Sequence, residues 1–332
     1  MSAFNVRLEV MKTIESKIDG FIDKYLVPID KIWQPNDLLP DSTSEEFYDE
    51  VRKIREEAND LSYDFWVILV ADTITEEALP TYESWLMDVE GISQHEPHGG
   101  NAWSKWVRNW TGEENRHGDA LNKYLYLSGR VNMKEIERTT QYLIAEGFDI
   151  GTDRDPYKNF IYTSFQELAT NISHKRVGKL AKNKGNHLLA KMCNMIAGDE
   201  MRHHLAYREF VKTIMEHDPN EMILAFQDMM KKKIVMPAQF VKETGQAIGD
   251  AFVHFSNVAQ KLNVYTSLDY IDILEKLNKY WELDTIRGLS DEADKAREYL
   301  MALPDRLTRI ASRMRIPDYE HEFTWVNKPS LG

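Results

Sequence analysis

The sequence has little cysteine and no long apolar run. Its single cysteine, Cys193, excludes an intrachain disulfide framework and a metal site made of thiolates alone. The longest apolar run covers 65–71, far short of the roughly 20 residues that a membrane-spanning helix needs. No cationic region leads into an apolar stretch after Met1, so a signal peptide is not indicated. We therefore expect no membrane insertion, and Cys193, in an apolar helical stretch, is interpreted as a buried structural thiol.

Positive charge is also scarce, with 41 Lys and Arg against 54 Asp and Glu and a formal net charge of −13. This balance disfavours binding to nucleic acid. Two basic runs interrupt it: six Lys or Arg without an acid between 174 and 192, and Lys231-Lys232-Lys233. They are either solvated helix faces or docking surfaces for an acidic partner, and the pattern leaves both interpretations open.

Proline is absent from 98–155 and from 157–218. Both windows are rich in strong helix formers, with apolar residues recurring at three- and four-residue steps. The pattern predicts an all-α fold in a single domain over 1–332, a helical bundle with its core at about 61–216 and additional helices around it. Phe323-Thr324-Trp325-Val326 lies between turn formers, so a short C-terminal β-hairpin is possible within 318–332. Helices are predicted near 5–25, 44–58, 61–90, 100–127, 133–146, 157–182, 187–216, 220–233, 245–260, 267–279 and 290–314.

Two Glu-x-x-His strings stand out, Glu114 to His117 and Glu200 to His203. Residues three apart share one face of a helix, so the carboxylate and the imidazole of each string can reach the same cation. Each string has one acid in the preceding long helix, Glu76 and Glu167 respectively. Four Glu and two His from four helices form the ligand set of ferritin-like bundles that hold two iron or manganese ions. A purely structural role would leave these carboxylates exposed, yet their flanks read as buried helix.

Charged neighbours repeat beside the ligands. Arg116 and Arg202 are expected to neutralise the acidic centre, and Asp199 and Glu113 to orient the opposite imidazoles. His204 points about 100° away from His203 on a helix and is not expected to be a ligand. The remaining histidines show no ligand spacing and are interpreted as ordinary: His95, His98, His174, His187, His217, His254 and His321.

These motifs, with several longer strings, resemble the soluble stearoyl-acyl-carrier-protein desaturases. The likeness runs from about residue 20 to 326 without large gaps. The long N-terminal extension of the plastid enzymes is missing, which favours a bacterial-type cytoplasmic enzyme. The strings that carry the resemblance are Trp33-Gln34-Pro35, Thr75 to Tyr82, Glu113 to Asp119, Tyr124 to Val131, Phe160 to Glu167 and Asp199 to His203.

The resemblance implies a di-iron enzyme that places a cis double bond in a saturated acyl chain carried on acyl carrier protein. Dioxygen is the oxidant, ferredoxin supplies two electrons, and a homodimer is expected. In that family, Glu114 and Glu200 would bridge two iron ions. Glu76 and His117 would complete one iron, and Glu167 and His203 the other.

The resemblance also implies roles around the metal. Thr170 would deliver a proton or orient oxygen, the alternative being a hydroxyl bonded back to a carbonyl one turn earlier. Trp33 would pass electrons through Asp199 to His117, the alternative being a packing residue beside Pro35. The acyl channel would be lined by Tyr82, Leu86, Trp110, Phe160 and Phe252.

Two channel positions depart from the plant pattern, because Trp85 and Asn159 are bulkier than the Met and Gly expected there. A narrowed tunnel end would favour a shorter acyl chain, unless the chain follows another path.

Other functions compete with desaturation. A ribonucleotide-reductase radical subunit would carry Tyr one turn after the first His, where this chain has Leu121. An iron-storage protein of the ferritin kind is about half this length, and storage explains neither Trp33 nor the basic runs. Another ferritin-like di-iron oxidase or an iron-storage protein remains the alternative.

Overall fold

The computed structural model describes residues 3–93, 100–317 and 321–327. Within these ranges the regular structure is helical, with no strand, which confirms the predicted all-α class. His95 and His98 lie outside the described residues. The helices are α1 (Ala3–Ile14), α2 (Ile18–Tyr25), α3 (Phe47–Glu57), α4 (Tyr63–Glu77), α5 (Leu79–Met87), α6 (Ala102–Ser128), α7 (Met133–Glu146), α8 (Pro156–Asn183), α9 (His187–His217), α10 (Pro219–Lys232), α11 (Asp250–Lys261), α12 (Ser267–Tyr280) and α13 (Asp291–Ala311).

Two predicted helices are each divided in the structure. The segment 5–25 forms α1 and α2, joined by a 3₁₀ turn over Glu15–Lys17. The segment 61–90 breaks at Ala78 into α4 and α5, with Pro80 in the first turn of α5. Proline has no N–H to donate to the carbonyl of Glu76 and its ring clashes with the preceding turn, so a regular helix cannot continue. The break falls just after the ligand Glu76.

The possible hairpin at 318–332 is not formed in the described part of that segment, 321–327. Val326 makes an isolated antiparallel bridge with Val131, and the Asn132 N–H donates to the Trp325 carbonyl at 2.6 Å. The side chain of Trp325 is fully buried and its Nε1 donates to Thr139. This segment therefore packs against the start of α7 rather than pairing with itself.

Four long helices, α4, α6, α8 and α9, carry the predicted ligands and form the bundle core. Helix α8 packs along α9, and α4 packs along α6, while α6 also contacts α9 and α4 contacts α8. Each of the four begins at a side chain that accepts a hydrogen bond from a backbone N–H of its first turn, which satisfies a donor that the helix leaves unpaired. These capping residues are Ser62, Asn101, Asp155 and Asn186.

Gly118 allows α4 and α6 to approach closely beside the site. A Cβ at this position would lie 3.1 Å from the backbone carbon of Glu76 and from atoms of Glu77. The missing side chain thus brings Glu76 close to His117, which precedes the glycine. Within the described residues, no helix combines the length and the apolar character needed to cross a bilayer.

Candidate metal centre and acyl cavity

The bundle brings the six predicted ligands together from four helices: Glu76 from α4, Glu114 and His117 from α6, Glu167 from α8, and Glu200 and His203 from α9. Their donor atoms form two groups. Glu76, Glu114, His117 and Glu200 form one, and Glu114, Glu167, Glu200 and His203 the other, each with all ligand atoms within 4.8 Å of one another. The two groups share Glu114 and Glu200, so these two carboxylates can face both of two neighbouring cations.

The imidazoles point their Nδ1 atoms into the centre. His117 Nδ1 lies 3.2 Å from Glu114 Oε2, 3.3 Å from Glu200 Oε1 and 3.7 Å from Glu76 Oε2. His203 Nδ1 lies 2.6 Å from Glu114 Oε1 and 3.6 Å from Glu167 Oε2. The two half-sites therefore mirror each other about the shared carboxylates.

Several buried nitrogen and oxygen atoms that face this centre have no hydrogen-bond partner of acceptable geometry. They are Glu114 Oε1, His117 Nδ1, Glu167 Oε2 and His203 Nδ1. An unpaired buried polar atom is costly, by about 1–3 kcal/mol each, unless something else satisfies it. Carboxylate oxygen and imidazole nitrogen are the donors that divalent iron or manganese accepts. The residues present thus fit a pair of such cations.

The outer nitrogens of both imidazoles contact acids from the opposite half. His117 Nε2 lies 3.2 Å from Asp199 Oδ2, and His203 Nε2 lies 3.0 Å from Glu113 Oε2. An acid on Nε2 fixes the tautomer and the ring orientation that leave Nδ1 free for a metal. Asp199 and Glu113 thus lie where the sequence pattern places them, each immediately before a ligand glutamate.

Two arginines neutralise these acids. Arg116 donates to Asp199 Oδ2 at 2.8 Å, and Arg202 donates to Glu113 Oε2 at 2.8 Å and to Asp199 Oδ1 at 2.5 Å. The hydrogen bond and charge of His117, followed by the charges of Arg116 and Arg202, hold the pKa of Asp199 well below its usual range although burial opposes this. The pKa of Glu113 is lowered to about 2, chiefly by His203 and Arg202 against burial. Both acids therefore remain ionised near neutral pH.

The ligand carboxylates also have partners outside the centre. Trp110 Nε1 donates to Glu167 Oε1 at 3.1 Å, and Thr170 Oγ1 lies 2.5 Å from Glu200 Oε2. His174 Nε2 lies 2.9 Å from Glu76 Oε1. The interpretation of His174 as an ordinary histidine was wrong. The signal for it is its position seven residues after Glu167, two helical turns along the same face of α8.

A cavity of about 800 Å³ reaches the centre. Of the ligands, it exposes Glu76, Glu114 and Glu200, with Thr170 beside them. Elsewhere its wall is largely apolar, built from α4, α5, α10 to α13 and the connection after α10. The size lies within the range of small-molecule sites, about 300–1,000 Å³.

Three of the five predicted channel residues line the cavity, and two do not. Tyr82, Trp110 and Phe252 are part of its wall. Leu86 and Phe160 are not, since both are buried in the core and Phe160 stacks on Trp103 with ring centroids 5.1 Å apart. The structure gives no support to a contact between these two residues and an acyl chain, so their role stays a prediction.

Trp85 and Asn159 also lie outside the cavity wall. The Trp85 ring packs edge-on against Tyr162, with centroids 5.6 Å apart. The buried Asn159 amide accepts from Thr152 Oγ1 and donates to the Asp155 carbonyl at 2.7 Å, which holds the turn before α8. The expectation that these side chains shorten the tunnel finds no support in this geometry, because a structural task accounts for each.

Lys231, Lys232 and Lys233 lie at the cavity, where α10 ends, and all three are exposed. Lys232 is engaged with Asp228 at 3.1 Å and with the Gly151 carbonyl at 3.1 Å. Lys231 bonds to Gln227 at 2.9 Å and lies over the Tyr299 ring. The basic run between 174 and 192 is exposed at Lys175, Lys179 and Lys182. These three lysines lie on α8 and do not line the cavity.

Fold and site together define a helical-bundle protein whose buried carboxylate–histidine cluster fits a metal site and opens to an apolar cavity. The model of the fatty acid desaturase family matches residues 6–327. The chain belongs to that family, which confirms the membership expected from the motifs, and it is an oxidoreductase.

Similar proteins include plant enzymes. The chain is 48% identical to "Stearoyl-[acyl-carrier-protein] 9-desaturase, chloroplastic" of Gossypium hirsutum and 49% identical to "Stearoyl-[acyl-carrier-protein] 9-desaturase 5, chloroplastic" of Arabidopsis thaliana. Each match covers 92% of this chain and 77% of the relative. The solved structure described as "putative acyl-ACP desaturase DesA2 from Mycobacterium tuberculosis H37Rv" shares the fold with a TM-score of 0.52 at 14% identity, covering 87% of this chain and 99% of that one.

Proposed function

We propose that this protein places a cis double bond in a saturated acyl chain carried on acyl carrier protein, using two iron ions, dioxygen and two electrons from ferredoxin. The observation that carries the proposal is the largely apolar cavity of about 800 Å³ that is lined at one place by Glu76, Glu114 and Glu200. Family membership and the names of the relatives support the substrate class. We propose a homodimer as the assembly.

The reaction consumes two hydrogens of the chain, one dioxygen, two electrons and two protons, and it yields one double bond and two waters. An unactivated methylene offers neither an acidic proton nor a polar handle, so a metal pair that activates dioxygen must supply the oxidant. The chain's own residues hold the acyl group in an apolar cavity beside that pair. Exclusion of water there protects the oxidant from side reactions.

Different parts of the cavity wall are expected to bind the acyl chain and to border the metal centre. Tyr82 and Trp110 border it near the metal ligands, whereas Phe252 belongs to the wall formed by α11. Trp110 contacts both the metal centre and the cavity, because its indole N–H donates to Glu167 while its ring borders the cavity. An acyl chain along this wall would place one carbon next to the metal-facing carboxylates, which selects the site of desaturation by distance alone.

Charge at the cavity fits a carrier protein. Lys231 and Lys233 stand exposed beside the cavity on a chain whose net charge is −13. Acyl carrier proteins are acidic, so a local basic group attracts them electrostatically where the whole molecule would repel them. The acyl chain would then enter the cavity from the docked carrier.

The proposal is tested with purified protein, ferredoxin, its reductase and saturated acyl-carrier-protein thioesters of several lengths, followed by mass spectrometry of the acyl groups. We expect a product two mass units lighter than its substrate, dependent on ferredoxin and dioxygen, from the wild type and none from Glu200→Ala. Consumption of ferrous ion with unaltered acyl chains at every length would overturn desaturation and favour iron storage.

A further inference from the structure

The terminal carboxylates Glu76 and Glu167 are equivalent in the two halves of the centre, yet unlike groups hold them. Glu167 accepts from an indole N–H, that of Trp110, four residues before Glu114. Glu76 contacts an imidazole, that of His174, seven residues after Glu167. The equivalent positions in the opposite halves are Ile196 and Glu83, so neither partner is repeated.

His174 is built into the core for this contact. Its side chain is 2% exposed, and the buried thiol of Cys193 lies beside the ring. Because a carboxylate only accepts, Nε2 must carry the proton and donate to Glu76 Oε1. The other buried histidine of this region, His204, bonds instead to a backbone carbonyl, that of Ser164, at 2.7 Å.

The second acid near His174 is already engaged. Asp72 lies one turn before Glu76 on α4, and Ser173 Oγ donates to Asp72 Oδ2 at 3.3 Å. Among the described residues, no hydrogen bond or ion pair joins His174 to Asp72, so Glu76 is the acid that the imidazole holds. Glu76 in turn directs its other oxygen, Oε2, toward the centre, 3.7 Å from His117 Nδ1.

We infer that His174 is the positioning residue of Glu76, and that the half-site of Glu76 and His117 depends on it while the half-site of Glu167 and His203 does not. The hydrogen bond holds Oε1 outward and leaves Oε2 to face a cation. Without it, the carboxylate can rotate about its last torsion, and metal affinity falls in one half only. This inference rests on the proposed metal pair.

Cobalt(II) binding to the metal-free protein tests this, with stoichiometry and visible absorption as readouts. For His174→Leu we expect one Co²⁺ to bind as in wild type and the affinity for the other to fall about 10- to 100-fold, the usual effect of losing such a partner. His174→Gln places an amide N–H where Nε2 stands and should restore most of the affinity. The matched control His204→Leu also removes a buried histidine and should bind both ions normally.

Two further variants assign the loss to a half-site. Adding His174→Leu to Glu76→Ala should cost no further affinity, because the partner of His174 is already gone. Adding it to Glu167→Ala should weaken the remaining ion by the same factor as in the single variant. This is the logic of a double-mutant cycle.

Circular dichroism of the metal-free variants checks their fold. Should His174→Leu not fold, the pair His174→Gln and His174→Asn decides, since Asn has the same amide but is too short to reach Oε1. Normal binding of both ions by His174→Leu, or by His174→Asn, would overturn the inference. A wild type that binds no Co²⁺ pair would instead contradict the proposed metal centre itself.

Discussion

Trp33 Nε1 donates to Asp199 Oδ2 at 2.9 Å, and the same carboxylate oxygen lies 3.2 Å from His117 Nε2. The Trp33 ring is nearly parallel to the His117 ring, tilted by 12° with centroids 6.2 Å apart, and the Arg116 guanidinium lies over its face at 4.3 Å. Trp33 is only partly buried, so two hydrogen bonds connect the surface with a predicted metal ligand. We propose that electrons follow this path to the centre, with simple packing beside Pro35 as the alternative.

Trp33→Phe should slow reduction of the metal centre several-fold and leave metal content unchanged. The substitution keeps an aromatic ring but removes the N–H that joins Asp199. Stopped-flow absorption with reduced ferredoxin measures the rate, and metal analysis of the same sample is the control. An unchanged rate of reduction would mean that Trp33 only packs beside Pro35.

Thr170→Val should lower the yield of unsaturated product per electron consumed by about 100-fold, the lower end of the range for loss of a proton-transfer group. Valine keeps the shape of the side chain but removes the hydroxyl that lies 2.5 Å from Glu200 Oε2. Thr170→Ser is the matched control and should retain most of the coupling. Equal coupling in both variants would mean that the hydroxyl only bonds back to the Glu167 carbonyl, 3.0 Å away.

Metal binding should release protons and tighten as pH rises. Burial alone lowers the pKa of His117 and His203, but Glu114 and the other carboxylates raise it well above its ordinary value. Burial and the neighbouring Glu200 and Glu114 also raise the pKa of Glu167 well above its usual range. The metal-free centre therefore carries protons at neutral pH that a cation must displace.

Since each ligand binds metal in its deprotonated form, two divalent ions should displace about two protons at pH 7, one from each imidazole, and more as Glu167 takes up a proton at lower pH. Calorimetric titration in two buffers of different ionisation enthalpy gives this number. A release near zero at pH 7 would show that the centre is already deprotonated and would contradict the charge assignment.

Charge reversal at Lys231 and Lys233 should raise KM for acyl carrier protein roughly fivefold and weaken its salt dependence, since exposed ion pairs contribute up to about 1 kcal/mol each. Lys232 is left intact because it also holds Asp228. Lys182 is exposed in the basic run between 174 and 192, and Lys182→Glu tests this other candidate surface. Unaltered kinetics in the Lys231 and Lys233 variant and in Lys182→Glu would mean that both basic runs are solvated helix faces.

The convergence of the six predicted ligands could be predicted because helical periodicity fixes which side chains share a face. Glu114 and His117, three apart, must point the same way, and the duplicated string restricts the partner to Glu200 and His203. The all-α class followed from the same periodicity. The break between α4 and α5 was also encoded, in Pro80, although the pattern alone read 61–90 as one helix.

Contacts between distant helices could not be predicted in this way. The spacing of seven residues from Glu167 places His174 on the same face of α8, but its partner Glu76 follows only from the packing of α8 beside α4. Likewise, nothing local distinguishes Asn159, which holds a turn, from a residue of the acyl channel. Tertiary packing decides both.

Metal analysis of purified protein tests the central claim most directly, namely that Glu114 and Glu200 jointly hold two cations. Removing a shared carboxylate leaves two positive ions repelling each other in a buried site. We predict about two irons per chain in wild type and in the control Glu298→Ala, which lies exposed on α13, with a sharp fall in Glu114→Ala and in Glu200→Ala. Full iron loading in both of these variants would contradict the account.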